Sequence, residues 1–467
     1  NSGYDQTRAD FDFDRGSNAA ATRIGSDGLI KKYRENLFTN SNNLSGVTLD
    51  KLTRTTGHAD PFGGNNAALL TEDTATGSHR FYIFNIPSSD AVHTYSIYAK
   101  PNGRSRFQIV ADGGAINAQW NISTGTLIGD SNEIKSNIED VGDGWYRLSL
   151  TYYGAGWIGG YFFNDSGSNS YTGDGTSGVY IFGAQVEKSL VASSYLESTS
   201  VTGKAGVLVD LPRINYDANG QNGSLLLEPS RANLLPYSEY FGLFNILKGA
   251  SITSNYSVSP EGVTNATRVL LDAQSESRIE TSTNTGTTIA NNNQTISCWV
   301  KSNGADTDFR LKCTHSSVVD YYSSNLTATS EWQRFTFTQL FGAGSSTIIT
   351  AGILNSTSNN AADLSIYGMQ LEVNSSYPTS YIPTMGTSET RAADSCSVTG
   401  ASDVIPNQGV FYIDMSIQDF ENYTSFFQLS EGTNTSIRFW SATYNGNTGL
   451  FGQIYVQGVD VKRQLLT

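Results

Sequence analysis

Four blocks of this chain occur twice, in the same order, and that internal repeat limits the fold more than any other feature. Glu35-Asn36-Leu37-Phe38-Thr39-Asn40-Ser41 returns as Ala232-Asn233-Leu234-Leu235-Pro236-Tyr237-Ser238. Thr94-Tyr95-Ser96-Ile97-Tyr98-Ala99-Lys100 returns as Thr295-Ile296-Ser297-Cys298-Trp299-Val300-Lys301. Gly144-Trp145-Tyr146-Arg147-Leu148-Ser149-Leu150 returns as Glu331-Trp332-Gln333-Arg334-Phe335-Thr336-Phe337. Phe182-Gly183-Ala184-Gln185-Val186-Glu187 returns as Tyr367-Gly368-Met369-Gln370-Leu371-Glu372, and Ser194-Tyr195 and Ser380-Tyr381 follow. The offset stays between 185 and 201 residues, the length of a domain. The chain is therefore read as two diverged copies of one domain.

The blocks have strand periodicity. Tyr95, Ile97 and Ala99 fall on one face of a half-buried strand, with Ser96, Tyr98 and Lys100 on the other, and Pro101-Asn102-Gly103 turns it. Tyr146, Leu148 and Leu150 share a face of a second strand; Tyr180, Phe182, Ala184 and Val186 form a third. Gly183 and Gly368 are expected where another backbone or an aromatic ring comes close. The Gln and Glu of the Gly-X-Gln-X-Glu block are expected to face outward or cap a sheet edge. About ten strand-like runs per copy, with no helical apolar run longer than about three turns, predict an all-β chain. Two packed antiparallel sheets per copy follow, with a jelly roll as the specific form.

Composition agrees. Of 467 residues only 15% are charged and 38% hydrophobic, while 46 Gly, 25 Tyr and 22 Phe suit aromatic-faced strands joined by tight turns. The net charge of −14 disfavours nucleic acid and anionic membrane as partners. No apolar run is long enough to insert into a membrane as a helix. The carboxylates leave Ca²⁺ open as a cofactor, although no EF-hand loop is present; no other cofactor is expected. Cys298, Cys313 and Cys396 form neither a disulfide framework nor a zinc motif. Cys298 and Cys313 flank a turn at Asn303-Gly304-Ala305-Asp306 and could face each other across a hairpin; small buried hydrophobes are the favoured reading.

The reading divides the chain into an N-terminal β segment or assembly arm (1–34), a first jelly roll (35–200), a connecting β segment (201–231), a second jelly roll (232–394) and an incomplete β domain (395–467). The arm contains a hairpin turning at Ser26-Asp27-Gly28. The apolar run Leu225 to Leu227 would not be left in a free linker, so arm and connector are expected to pair with each other or with a neighbouring subunit. In the last segment, 410–417, Ser436-Ile437-Arg438-Phe439-Trp440 and Gly452-Gln453-Ile454-Tyr455-Val456 read as strands. A start at Asn1 and a stop at Thr467 within a strand-like run lead us to expect a longer or processed parent chain.

Asp10-Phe11-Asp12-Phe13-Asp14-Arg15, Ala21-Thr22-Arg23 and Asp27-Gly28-Leu29-Ile30 resemble the opening of a family of bacteriophage virion proteins. So does Leu211-Pro212-Arg213-Ile214-Asn215-Tyr216 with Ser224-Leu225-Leu226-Leu227-Glu228-Pro229 and Arg231-Ala232-Asn233-Leu234-Leu235. Tyr367 to Glu372, Ser380-Tyr381-Ile382-Pro383-Thr384 and Thr390-Arg391-Ala392-Ala393-Asp394 resemble the close of such a domain. The region after Cys396 resembles the start of a concanavalin A-like lectin domain. The resemblance covers most of the chain. A full extra jelly roll here separates the opening segment from the Pro212 segment. It implies carbohydrate-binding-module-like jelly rolls in a fibre or surface appendage of a virion, exposed on the particle surface. Its partners would be other virion proteins, further copies of itself (a trimer favoured) and host-surface glycans.

For chemistry, His58, His79, His93 and His315 form no metal motif, and neither a nucleophile elbow nor a P-loop is present. No enzyme is expected. Glycan binding needs flat aromatic rings beside amides or carboxylates. The candidates are Trp120, Tyr152, Tyr153 and Trp157 in the first copy and Tyr321 and Tyr322 in the second. Trp145, Trp299 and Trp332 are read as core. A secreted bacterial carbohydrate-binding protein or adhesin, or an accessory part of a polysaccharide depolymerase, is the alternative.

Overall fold

The computed structural model describes residues 12–397, apart from 18–19, 85, 88, 132, 218, 287–288, 316–318 and 345–346, together with residue 415 and most of 425–466. It has two units, 1–399 and 400–467. The first holds both copies of the repeat, and the chain is all-β, as expected.

In the first copy a front sheet runs in the order Lys135–Gly142, Trp145–Gly154, Ala91–Asn102, Gly178–Glu187, Ala67–Glu72, Leu52–His58. A back sheet runs Thr126–Ser131, Ile116–Asn121, Arg106–Ala111, Ile158–Phe163, Arg80–Ile83, Thr48–Asp50. The second copy repeats this order with a front sheet of Gln333–Leu340, Asn293–Ser302, Ala362–Val373, Ala266–Leu271 and Ser251–Ser257. Its back sheet is Val319–Tyr322, Thr307–His315, Ile348–Asn355, Arg278–Asn284 and Asn245–Leu247, with Leu326–Ala328 also paired to Thr307–His315. All these ladders are antiparallel. Tyr95, Ile97, Leu148 and Leu150 of the first front sheet meet Phe107, Ile109, Trp120 and Phe162 of its back sheet, all fully buried. Each such side chain contributes about 1.5–3 kcal/mol through the water it sheds.

Two expectations change. The central strand is not half-buried: Ser96 and Tyr98 are covered as well, because Tyr98, Trp145 and Phe182 build a second apolar layer outside the front sheet. Tyr180, Phe182, Ala184 and Val186 do not share one face either. Ser96 pairs with Gln185 but Tyr98 pairs with Phe182, so a bulge at Gly183 turns Ala184 and Val186 to the core and leaves Phe182 outside. The second copy repeats the bulge, Ser297 opposite Gln370 and Trp299 opposite Tyr367. Gly183 and Gly368 hold φ of 61° and 63°. A Cβ there would stand 2.9 Å from the Tyr98 ring and 3.1 Å from the Trp299 ring, so the expected close aromatic approach is present.

The recurring polar residues are buried locks, not edge caps. Asn36 Nδ2 donates to the Ala184 and Leu196 carbonyls at 3.1 and 2.9 Å, while its Oδ1 accepts from the Phe38 and Val186 amides at 3.0 and 3.1 Å. Asn233 does the same with Met369, Ile382, Leu235 and Leu371. Gln185 Nε2 donates to Glu187 at 2.6 Å and Gln370 Nε2 to Glu372 at 2.8 Å; each Glu then accepts the next loop's amide, from Ser193 and Thr379, at 3.0 Å. Gln185, Gln370, Glu187 and Glu372 are all buried. Buried polar groups persist only when so partnered.

Of the two expected partners for arm and connector, each other or a neighbouring subunit, the chain shows the first. The Thr22–Ile24 and Ile30–Lys32 strands form the hairpin, with Gly28 at φ 74°. A second hairpin joins Ile214–Asn215 to Ser224–Leu225, and its Tyr216 amide donates to the Ile24 carbonyl at 3.1 Å. Both are tied to the second copy. Arg213, fully buried, binds Asp394 through two nitrogens, Glu228 at 2.8 Å and the Thr22 carbonyl at 3.1 Å. Arg391 joins Glu228 at 3.1 Å, and Arg15 lies 3.6 Å from Asp394. The residues that carried the family resemblance thus assemble one buried ion-pair knot.

Cys298 and Cys313 are free, buried thiols in the second core. They do not face across a hairpin, because their strands belong to opposite sheets. In unit 400–467 the described strands Ser425–Glu431, Thr435–Tyr444, Asn447–Val456 and Val459–Leu466 form one antiparallel meander. It contains two of the three expected strands; the expectation at 410–417 lies, residue 415 excepted, outside the described residues.

Candidate functional site

The outer face of the first back sheet combines rings with amides. Alternation sends Phe81, Phe107, Ile109, Trp120 and Phe162 into the core and leaves Tyr82, Gln108, Asn117, Gln119 and Tyr161 outside. Tyr82 meets Phe84 edge-on at 5.2 Å and Trp157 at 6.0 Å. Arg80 lies over both Tyr82 and Tyr161, donates to the Tyr161 hydroxyl at 2.7 Å and is held by Asp50 at 3.2 Å. Gln108 Nε2 donates to Asn117 Oδ1 at 3.0 Å, and Asn117 Nδ2 to Ser131 Oγ at 2.9 Å. Gln119 Nε2 is buried beneath this face and has no hydrogen-bond partner among the described residues.

A glycine forms the floor. Gly159 pairs with Tyr82 on one side and Val110 on the other, and a Cβ there would stand 2.2 Å from the Phe81 carbonyl. No side chain therefore fills the space between Tyr82 and Val110. Trp157 is half-buried, its ring set against the turn at Asp112–Gly114.

The matching face of the second copy has a different chemistry. Gly352 takes the place of Gly159, with Glu280 and Lys312 as its neighbours. Lys312 binds Glu280 at 3.0 Å and Asp320 at 3.3 Å; Arg278 binds Glu280 at 2.8 Å; Lys248 binds Glu276 at 3.0 Å. This face is neutralised by its own ion pairs.

The six expected sugar-binding aromatics do not gather. Trp120 and Tyr152 are corrected: both are fully buried in the first core, on the inward side of their strands, where no glycan reaches. Tyr153 is 39% exposed but meets Tyr237 at 6.2 Å, at the junction with the second copy. Tyr321 stacks on Phe341 at 5.2 Å against the second core. Tyr322 belongs to the ion-pair face, its hydroxyl within reach of two carboxylates, Glu276 at 2.9 Å and Asp320 at 3.0 Å, and donating to one of them at a time. Of the six, Trp157 lies on the aromatic face. The sequence reading missed Tyr82, Phe84, Tyr161, Gln108, Asn117 and Gln119, although the alternation Arg80-Phe81-Tyr82-Ile83-Phe84 signals an outward aromatic pair. Trp145 is buried as expected, but in the apolar layer outside the front sheet and not between the sheets, and Trp299 and Trp332 are half-buried in the matching layer of the second copy.

Burial holds the His93 imidazole, with help from Lys188, down to about 4, so it is neutral at pH 7. Glu72, fully buried, is pushed up by burial, but two bonds from Arg104 and the amide of Asp174 more than offset this and hold it below its ordinary value. Among the described residues no group of three or more His, Cys, Asp or Glu is placed to hold a metal ion.

No family model and no curated protein matches the chain. Among solved structures, the CBM22-1 xylan-binding domain of Paenibacillus barcinonensis Xyn10C aligns with 32% of this chain and 94% of its own length, at 10% identity and a TM-score of 0.24. The CBM22-1-CBM22-2 tandem of the same protein aligns with 77% of this chain and 99% of its own, at 11% identity and a TM-score of 0.24. The enzymatically active domain of bacteriophage CBA120 tailspike protein 4 aligns over 30% of this chain and 21% of its own, at 8% identity and a TM-score of 0.23. The double-sandwich assignment rests on the strand order itself.

Proposed function

We propose that this chain is a carbohydrate-binding structural protein of a phage particle, a fibre or surface appendage, that holds a host-surface glycan on the back face of its first sandwich. The observation that carries the binding reading is the contrast between the copies. One scaffold, with a glycine at the same floor position, presents rings and amides in the first copy and a closed ion-pair network in the second. Sugars stack their C–H faces on rings and bond their hydroxyls to amides, and the first face offers both. Tyr82, Trp157 and Phe84 supply stacking surface; Asn117 and Gln108 supply donors and acceptors. The role is binding, not catalysis. Ca²⁺ is not needed for this mode of recognition. The virion reading rests on the sequence resemblance of the arm, connector and closing segments.

The test is a glycan array with the full chain, followed by titration of the best ligand. Trp157→Ala and Tyr82→Ala are each expected to weaken binding by about tenfold or more, and Arg278→Ala in the second copy to leave it unchanged. Retention of binding in both first-copy variants would overturn the assignment. Release of reducing ends from a bound polysaccharide would overturn the non-catalytic role. Density for the chain at the surface of whole particles, in an electron-microscopy map, checks the virion placement.

A further inference from the structure

The ladder registers lay out the outer face of the first back sheet as rows that cross its strands. One row holds Thr48, Tyr82, Gly159, Val110 and Asn117. The next holds Asp50, Arg80, Tyr161 and Gln108. A third holds Phe163, Arg106 and Asn121. Their strand neighbours Phe162, Phe107 and Trp120 lie in the core, so these three side chains take the outer side. Gly159 and Phe163 stand four residues apart on one strand, about 13 Å. The first and third rows are therefore two ends of one path, which an oligosaccharide covers and a single sugar ring does not.

The charges along this path do not cancel. Asp50 is the carboxylate in the three rows, and two cations share it, Lys51 at 3.1 Å and Arg80 at 3.2 Å. Arg106 has no such partner: among the described residues its partly exposed side chain makes no hydrogen bond and no ion pair. Its guanidinium lies beside Gly167, where a Cβ would stand 2.9 Å from Nη1. Asp112, in the turn against Trp157, faces Gly154 of the front sheet, whose Cβ would stand 3.0 Å from its Cγ. The second copy has the opposite arrangement. Val110 and Lys312 both pair with the shared glycine, so four residues back along each strand Arg106 is matched by Asp308. There Lys248, Arg278, Arg310 and Lys312 stand among Glu276, Glu280, Asp308 and Asp320, and the face is balanced. The excess of positive charge is thus a local feature of the first copy in a chain of net charge −14. Acids elsewhere on the chain are screened beyond about 8 Å at physiological salt.

We infer that the glycan held on this face is acidic, and that Arg106 binds a sugar carboxylate while Tyr82 and Trp157 hold rings further along the same oligosaccharide. The inference rests on the reading of this face as the glycan site and adds the charge of its ligand. A guanidinium presents parallel N–H donors that match both oxygens of a carboxylate. Phe163 flanks Arg106 on one side and is an apolar surface for the ring that bears the acid. Asn121 flanks it on the other; its Oδ1 accepts the Ser123 amide at 3.0 Å, and its Nδ2 is the donor for a sugar hydroxyl. Arg80 is committed to Tyr161 and Asp50, which leaves Arg106 as the group that selects the acid.

The test titrates the full chain with oligosaccharides of galacturonate, alginate, hyaluronan and polysialic acid, each beside its own methyl ester. The ester keeps the rings and hydroxyls and removes the charge. At least one acid is expected to bind about tenfold or more tighter than its ester, with the preference shrinking as salt is raised. Arg106→Ala should bring acid and ester to the same affinity and leave the ester's own affinity within about twofold. Arg106→Lys keeps the charge without the fork and should retain part of the preference. Acid and ester bound alike by the wild-type chain would overturn the inference, and so would a preference that survives Arg106→Ala. Binding of sulfated or neutral glycans with every carboxylate refused would overturn it too. Neutral glycans lost in Trp157→Ala but held in Arg106→Ala would keep the face as the glycan site and remove only its acid selectivity. Acid binding that depends on Arg106 but not on Trp157 or Tyr82 would sink the site as drawn, so the two proposals fail separately.

Discussion

Replacing Asn233 with Ala should cost the second sandwich more than almost any apolar deletion. The side chain is fully buried and bridges three segments that are distant in sequence. It serves the Met369 and Ile382 carbonyls at 3.3 and 2.9 Å and the Leu235 and Leu371 amides at 3.2 and 3.0 Å. Alanine removes a partner from four backbone groups at once. Each such loss costs about 1–3 kcal/mol when water cannot replace it. Partial relaxation and water entry keep the sum near the lower end, about 3–5 kcal/mol, a large part of a typical domain's stability. Asn233→Asp keeps the acceptors, loses both donors and buries a charge, so it should be at least as damaging. Urea unfolding followed by hydrogen exchange is the assay, because peptides covering 362–373 report the second copy and 178–187 the first. Asn233→Ala should loosen the former alone, and Asn36→Ala, with the same four bonds, the latter alone. A loss below about 1 kcal/mol, or one shared equally by both copies, would refute the lock.

Two further outcomes follow from buried groups. Burial pushes Glu228 up, but Arg391, Arg213 and two bonds from Ser380 hold its carboxyl below the ordinary 4.5 in the folded chain. The unfolded chain therefore takes up the proton first, and the stability that the knot supplies is present above pH 4.5 and lost as pH falls below it. An acid titration of the melting temperature should fall less steeply in Glu228→Gln. Tyr152 carries a buried hydroxyl with no hydrogen-bond partner among the described residues, so Tyr152→Phe should be neutral or stabilise by up to about 1 kcal/mol in urea, against the usual loss when a bonded hydroxyl is removed.

The amino-acid sequence by itself determined the architecture. Alternating apolar residues, Gly and Asn turns and a domain-length repeat are local or periodic signals, and they are enough to give two all-β copies and the hairpin at Asp27-Gly28; that arm and connector pair with each other and not with a neighbouring subunit came from the structure. It did not determine which face a side chain takes beyond a bulge. One extra residue at Gly183 reverses the alternation, and periodicity carries no mark of it. Nor did it show that Gln185 and Glu187 point inward, since a polar residue is buried only where distant loops supply its partners. Trp120 and Tyr152 failed as binding residues for the same reason: an aromatic in a strand reads alike on either side, and the packing of two sheets decides which side is wet. Tyr82, Gln119 and Gly159 come from separate strands, and only the back sheet brings them together. The repeat that opened the reading kept its meaning for the fold. For the proposed function it was the difference between the copies, Tyr82 against Glu280 beside the shared glycine, that the tertiary structure made legible.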